Sequence, residues 1–161
     1  GRRQITGFLF EGDFLGIALN DDYAYTAEAV NDVTLCRFPT ARFEALLEEF
    51  PKLEKQLLEV ASNELAQAQD QMLLLGRKTA QEKVVSFLLS LSKRSHARGA
   101  PASPISLPMS RADIADYLGL TTETVSRTFT SLKGSDAIRL LAGNSVALEN
   151  FESLSELADG I

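Results

Sequence analysis

Residues 110–127 read SRADIADYLGLTTETVSR. Ser110 is followed three residues later by Asp113, close to the capping-box pattern, so a helix is expected to open at Arg111. Ile114, Ala115 and Leu118 then share one face, which carries that helix to Leu118. Gly119-Leu120-Thr121 reads as a tight turn, because glycine can adopt the positive φ that ends a helix. Thr121 or Thr122 caps a second helix running to about Lys133, with Val125, Phe129 and Leu132 facing inward. Two short helices joined by a glycine-containing turn are a helix-turn-helix by length and punctuation.

The second helix leaves a polar face outside. Glu123, Ser126 and Arg127 stand at i, i+3 and i+4, so they share a surface near its N-terminal end. In a recognition helix that end meets base edges in the major groove. Arginine can bond guanine O6 and N7 together, glutamate can accept from cytosine N4, and serine can serve either way. An acid beside phosphates is costly, which favours Glu123 as a base reader. The competing reading is a Glu123–Arg127 surface pair, worth only about 0.3–0.5 kcal/mol. Arg111, Thr121, Thr122, Thr124 and Thr128 are candidate contacts to the DNA backbone, which would set the register.

Downstream, Arg139 to Leu148 reads as a hairpin turning at Gly143-Asn144, which makes the unit a winged helix. The tail from Glu149 to Ile161 offers Leu154 and Leu157 for packing. Upstream, Thr79 can cap a helix from Ala80 to about Arg94, whose apolar face is Val84, Phe87, Leu88 and Leu91. Ser95–Pro104 reads as a loop, and its lone His96 is expected to be solvated.

Further upstream, Thr40 is a plausible cap for a helix at 41–50, and Pro51 suits the first turn of a longer one reaching about Leu75, where Gly76 interrupts the pattern. Within it Leu58, Ala61, Leu65, Ala68, Met72 and Leu75 are spaced three and four apart, an a/d heptad seam without a charge. Leu53, Leu57, Val60 and Leu73 or Leu74 form a second stripe. Two stripes imply two partners, the helix's own domain and another helix, and no second heptad helix exists in the chain. A parallel homodimer is therefore expected, against the alternative that both stripes are buried within one chain. Before this helix the runs Ile5–Phe10, Tyr23–Val30 and Val33–Phe38 are strand-like, with a turn at Glu11-Gly12-Asp13. Only about four short strands fit there, too few for an uncovered sheet. The segment reads as the tail of a β domain.

Composition bounds the rest. The chain has 161 residues, a net charge of −6 and one cysteine, Cys36. It contains no run of about 18 apolar residues and no secretory signal, so a cytoplasmic protein is expected. A single cysteine forms no internal disulfide and holds no metal by itself. The acidic total hides an uneven distribution. Residues 1–76 carry six basic and thirteen acidic side chains, residues 77–140 ten basic and five acidic, and the tail four acids and no base. The basic segment coincides with the helix-turn-helix and can meet a polyanion. A solvated basic face is the alternative. The chain starts at Gly1 rather than Met, which leaves residues to be expected upstream.

The residues Arg3–Phe8 (RQITGF), Gly12–Gly16 (GDFLG), Met72–Leu75 and above all Arg111–Arg127 (RADIADYLGLTTETVSR) resemble the CRP/FNR family of bacterial transcription regulators, particularly its FNR/FixK branch. The resemblance implies an α+β architecture in three parts. These are the C-terminal part of a cyclic-nucleotide-binding-like β-roll with its following short helix at 1–50, a long dimerisation helix at 51–76, and a C-terminal winged helix-turn-helix at 77–161. It further implies binding of double-stranded palindromes similar to TTGAT-N4-ATCAA, read by Glu123, Ser126 and Arg127. Recruitment of RNA polymerase, commonly for activation, and oxygen- or redox-linked control in microaerobic respiration and nitrogen fixation are implied as well.

Three departures matter. Cyclic-AMP-binding members place a glutamate after the glycine of the phosphate-binding turn and an arginine-serine pair further on. Here Ile17-Ala18 follow Gly16 and Tyr25-Thr26 sit near the expected pair, so no cyclic AMP is expected. Oxygen-sensing members hold an iron–sulfur cluster on an N-terminal cysteine cluster plus one cysteine in the β-roll. Cys36 resembles that last ligand, but the others would lie upstream, so a buried, inert strand cysteine is the expectation. Asp136 stands where the family usually has glycine, which implies local strain or an altered turn geometry there.

A different class of function is a protein-interaction module in which the helix-turn-helix is only scaffold, supported by the acidic overall charge. An enzyme would need a nucleophile–base pair or paired carboxylates in a cleft. Only Cys36 and His96 are available, with no supporting motif, so no catalytic residue and no metal site are expected.

Overall fold

The computed structural model describes residues 3–16, 23 and 25–160. It divides into two compact units, 1–7 with 72–161, and 8–71. The first holds the core: every buried residue among those described lies between Lys83 and Ala158.

In that unit α3 (Ala80–Ala97) opens with a full capping box, in which Thr79 accepts from the Glu82 N–H and Glu82 returns a bond to the Thr79 N–H. It runs three residues beyond the expected end. Arg94 in its last turn complements the negative end of the helix dipole, and no breaker precedes Gly99. His96 thus sits on the helix rather than in a loop, and it is exposed.

The chain continues through β1 (Ile105–Ser106), α4 (Arg111–Leu118), α5 (Thr122–Gly134), β2 (Ile138–Leu141), β3 (Ser145–Leu148) and α6 (Phe151–Asp159). The sheet is antiparallel in the order β1-β3-β2, with Ile105 opposite Val146 and Ile138 opposite Leu148. The hairpin turns at Ala142-Gly143-Asn144, where Gly143 and Asn144 both take positive φ. Leu88 of α3, Ile114 and Leu118 of α4, Val125 and Leu132 of α5, Ile138, Val146 and Leu154 are fully buried together. Each such side chain contributes about 1.5–3 kcal/mol by leaving water. α6 packs on α3, and Lys78 Nζ donates 2.8 Å bonds to Ser86 Oγ and to the Ala158 carbonyl.

Residues 3–7 lie along α4. Arg3 Nη1 contacts Asp113 Oδ1 at 2.6 Å and Asp116 Oδ2 at 3.3 Å, and the Ile5 N–H donates to the Asp116 carbonyl. Arg3 foremost, then Ser110, holds the Asp113 carboxyl below the ordinary range for an aspartate.

The second unit is built on α1 (Thr40–Glu49) and most of α2 (Pro51–Arg77). Phe14 and Phe38 pack tilted against Phe43, and a turn at Glu11-Gly12 is closed by Phe10–Asp13 hydrogen bonds. Several expectations are corrected here. Among the described residues of 3–39 none lies in a strand. A ladder needs a partner strand in register, and the described residues of the runs at 5–10, 23–30 and 33–38 form no ladder. Thr40 is the first helical residue of α1, not its cap; Pro39 stands at the cap position without a side-chain bond. Gly76 does not end α2, which runs to Arg77. A single helical glycine costs only about 1 kcal/mol, too little to break a 27-residue helix. Cys36 is exposed rather than buried, and among the described residues no strand covers its segment. Ile17-Ala18 lie outside the described residues.

Candidate nucleic-acid interface

The helix-turn-helix is set by local chemistry. Ser110 caps α4 with a full capping box to Asp113. Gly119, at φ +62°, closes α4 in the left-handed conformation and turns the chain into α5. Thr121 caps α5 by accepting from the Thr124 N–H at 3.2 Å. α5 buries Val125, Thr128, Phe129 and Leu132, and this fixes which residues face out.

Glu123, Ser126 and Arg127 are all exposed on that outer face. The alternative ion pair between Glu123 and Arg127 is not formed; Arg127 Nη2 donates instead to Thr124 Oγ1 at 3.4 Å. Thr124 Oγ1 lies 3.0 Å from Thr121 Oγ1. A consistent polarity follows. Arginine has only donors, so Thr124 accepts from Arg127 and its own proton can pass to Thr121, leaving the Thr121 proton for Glu123. The Glu123 carboxyl is held below the usual glutamate range, first by its own backbone N–H and then by the Thr121 hydroxyl, with the Arg127 charge adding to both. It also stands in the first turn, where the helix dipole favours an anion. Glu123 is therefore a fixed acceptor and Arg127 a fixed donor, four residues apart on one surface.

The candidate backbone contacts separate. Thr122 is exposed at the first position of α5. Thr121 and Thr124 are instead engaged with each other and with Arg127 along the outer face of α5, a local role that the sequence reading missed. Thr128 is a correction. It is buried, and its hydroxyl donates to the Thr124 carbonyl at 2.9 Å, so it is not offered outward. Arg111, the first residue of α4, is half-buried, and its guanidinium carbon lies 3.5 Å from the centroid of the Phe129 ring. Burial holds its pKa below the ordinary guanidinium range. Nothing in the spacing of these two residues announced that contact. In the wing, Arg139 is taken up by Glu149 at 2.7 Å.

The α2 seam is unpartnered. Leu58, Leu65 and Met72 are each more than 60% exposed, Ala68 is exposed, and only Ala61 and Leu75 are partly covered. In the second stripe Leu53, Leu57 and Leu74 are half-buried, whereas Val60 and Leu73 are exposed. Among the described residues no group of three or more His, Cys, Asp or Glu could hold a metal, and no helix is long and apolar enough to cross a membrane.

Comparison with known proteins gives two family matches, a Crp-like helix-turn-helix domain over residues 82–157 and a cyclic nucleotide-binding domain over residues 1–50. The chain is 50% identical over 143 residues to the nitrogen fixation regulation protein FixK of Bradyrhizobium diazoefficiens, covering 89% of this chain and 60% of that protein. It is 48% identical to the transcriptional activatory protein AadR of Rhodopseudomonas palustris, covering 83% of this chain and 56% of that one. Among solved structures, FixK2 from Bradyrhizobium japonicum matches with a TM-score of 0.66 at 39% identity, over 73% of this chain and 57% of the other. The chain thus spans less than two thirds of the length of each of these relatives. The β-roll reading of residues 1–50 rests on the family match, while the winged unit stands on its own geometry as well. With the helix-turn-helix built by local capping and the likeness extending across both domains, the chain belongs to the CRP/FNR family, on the side of FixK.

Proposed function

We propose that this chain belongs to a sequence-specific DNA-binding transcription regulator, an activator that acts as a homodimer on palindromes similar to TTGAT-N4-ATCAA. The observation that carries this reading is the outer face of α5, where Glu123, Ser126 and Arg127 are exposed together while the opposite face anchors the helix in the core. An acceptor and a donor held at helical spacing match the edges of a cytosine and a guanine. The exposed seam of α2 supports pairing with a second copy, which would set two recognition helices about 34 Å apart, one duplex turn. The roles named for the FixK and AadR relatives, nitrogen fixation regulation and transcriptional activation, support an activator with a place in nitrogen-fixation control. Oxygen-linked control, RNA polymerase as a further partner and a cytoplasmic setting belong to the same proposal.

In this reading the chain takes no cofactor of its own. Cys36 is its single cysteine, and an iron–sulfur cluster would need further cysteines that these 161 residues lack. Cyclic AMP is not a ligand, and no catalytic role is assigned.

A mobility-shift titration tests the proposal. The TTGAT-N4-ATCAA duplex should be retarded well below the concentration needed for a scrambled duplex, and both affinities should fall steeply with salt. Equal retardation of the two duplexes, or none, would reject it.

A further inference from the structure

We propose that Phe129 is a positioning residue for DNA-backbone binding, its ring holding the Arg111 guanidinium flat as a phosphate clamp that joins the two helices of the helix-turn-helix. This rests on the DNA-binding reading above and deepens it.

The geometry comes first. The guanidinium carbon is 3.5 Å from the ring centroid, the thickness of two stacked planes. An N–H edge pointing at the ring would hold that carbon further away, so the two planes face each other. Stacking occupies the face of a guanidinium and leaves its in-plane N–H donors free. Phe129 is itself 2% exposed and anchored in the core, so the platform is rigid.

Charge comes next. Arg111 is half-buried, yet no acceptor among the described residues takes a hydrogen bond or ion pair from it. The acid on the same turn, Asp113, is engaged with Ser110 and Arg3 instead. Arg111 is also the first residue of α4, where the helix dipole is positive and a cation is disfavoured. A partly desolvated cation without a counter-ion, placed at the wrong helix end for stability, is a site waiting for an anion. Its fork matches two oxygens of one phosphate. Phe129 lies on α5, two residues beyond Arg127. The stack therefore fixes the spacing between the backbone-binding cation on α4 and the base-reading face on α5. A lysine at 111 would supply charge without the stack or the fork.

The test uses the 161-residue chain in fluorescence-anisotropy titrations with the palindromic and a scrambled duplex over a salt series. Arg111→Ala should weaken both duplexes alike and reduce the salt slope by about 0.9 per bound chain. Phe129→Leu, which keeps an apolar though smaller side chain and removes the ring face, should cost roughly three- to tenfold on both duplexes. In the Arg111→Ala background it should cost nothing further. Arg111→Lys leaves the core untouched and should lose at least as much as Phe129→Leu; it carries the test if thermal melts show the leucine variant unfolded.

A loss from Phe129→Leu that persists in the Arg111→Ala background would mean the ring only packs, and would overturn the clamp. Parent-like binding by Arg111→Lys, or a loss confined to the palindrome, would overturn it too. If the parent binds no duplex, the DNA reading and the clamp fall together. A parent that binds but shows no coupling between residues 111 and 129 removes the clamp alone.

Discussion

Arg127 reaches back along α5 to Thr124, with Nη2 3.4 Å from Oγ1, and so its guanidinium is laid over the N-terminal half of the exposed face. The bond is long and solvent-facing, hence readily exchanged for a base edge. Arg127→Ala is expected to weaken binding to the palindrome by about 1–3 kcal/mol and to relax the preference at one base pair of each half-site. Because Arg127 buries nothing, the melting temperature should stay at the parent's value. A titration across the four substitutions at that base pair checks it. Uniform weakening on every duplex would instead identify a phosphate contact.

Glu123 gives a prediction in pH. Its folded pKa lies below the ordinary 4.5, chiefly through its own backbone N–H and the Thr121 hydroxyl. A depressed carboxyl pKa means that the ionised form is fully populated above the unfolded value and lost only as pH falls through the lower folded one. Glu123 therefore stays an acceptor without a proton across about pH 5.5–8. The base preference that it imposes should not change over that range. Glu123→Gln, whose amide both donates and accepts, should lose the preference at every pH. A parent preference that faded near pH 6 would place the titrating reader elsewhere.

The seam on α2 predicts an oligomeric switch. Leu65 stands mid-seam and 61% exposed, with the uncharged Ala61 and Ala68 on either side of it. Leu65→Glu puts like charges opposite each other across a dyad while disturbing nothing buried within the chain. Sedimentation should show a dimer for the parent and a monomer for the variant. Palindrome affinity should fall by at least about tenfold, because the second half-site is no longer bound intramolecularly. An unchanged sedimentation coefficient would remove the seam from the dimer model.

The winged unit was legible because its signals are local. Ser110 with Asp113, Gly119, Thr121 and Gly143-Asn144 each act within a few residues, and each forms the expected cap or turn. The outward face of α5 followed from the inward one by helical period alone. Contacts across the chain were not legible. Phe129 beneath Arg111 is a tertiary meeting that no spacing announces, and so is Arg3 against Asp113 and Asp116. Thr128 misled because a hydroxyl on a helix can bond its own backbone four residues back, which satisfies it when buried. The strand-like runs before α1 misled for another reason: alternation marks the ability to pair, whereas a ladder also requires a partner. The exposed Cys36 stands in the last of those runs.

Asp136 offers the clearest stability prediction. It holds φ +54° directly after α5, in the left-handed region that an aspartate enters at a cost. The surrounding bonds explain why the chain accepts that cost. The Ala137 N–H donates to the Leu132 carbonyl at 3.0 Å and the Asp136 N–H to the Lys133 carbonyl at 3.2 Å. Those two bonds form a Schellman motif with Asp136 at its left-handed position, and the apolar contact that usually accompanies it is supplied by the buried Leu132 and Ala137. The exposed Asp136 carboxylate makes no hydrogen bond or ion pair among the described residues, so its removal forfeits nothing. Asp136→Gly relieves the steric strain and gives back a smaller entropic cost through the more flexible unfolded chain. The net expectation is a gain of about 0.5–1 kcal/mol, seen as a rise of a few degrees in Tm. Duplex affinity should be unchanged, because the proposed reading face lies about two and a half to three and a half turns upstream. A lowered Tm would show that the carboxylate stabilises the end of α5 in a way that outweighs its strain.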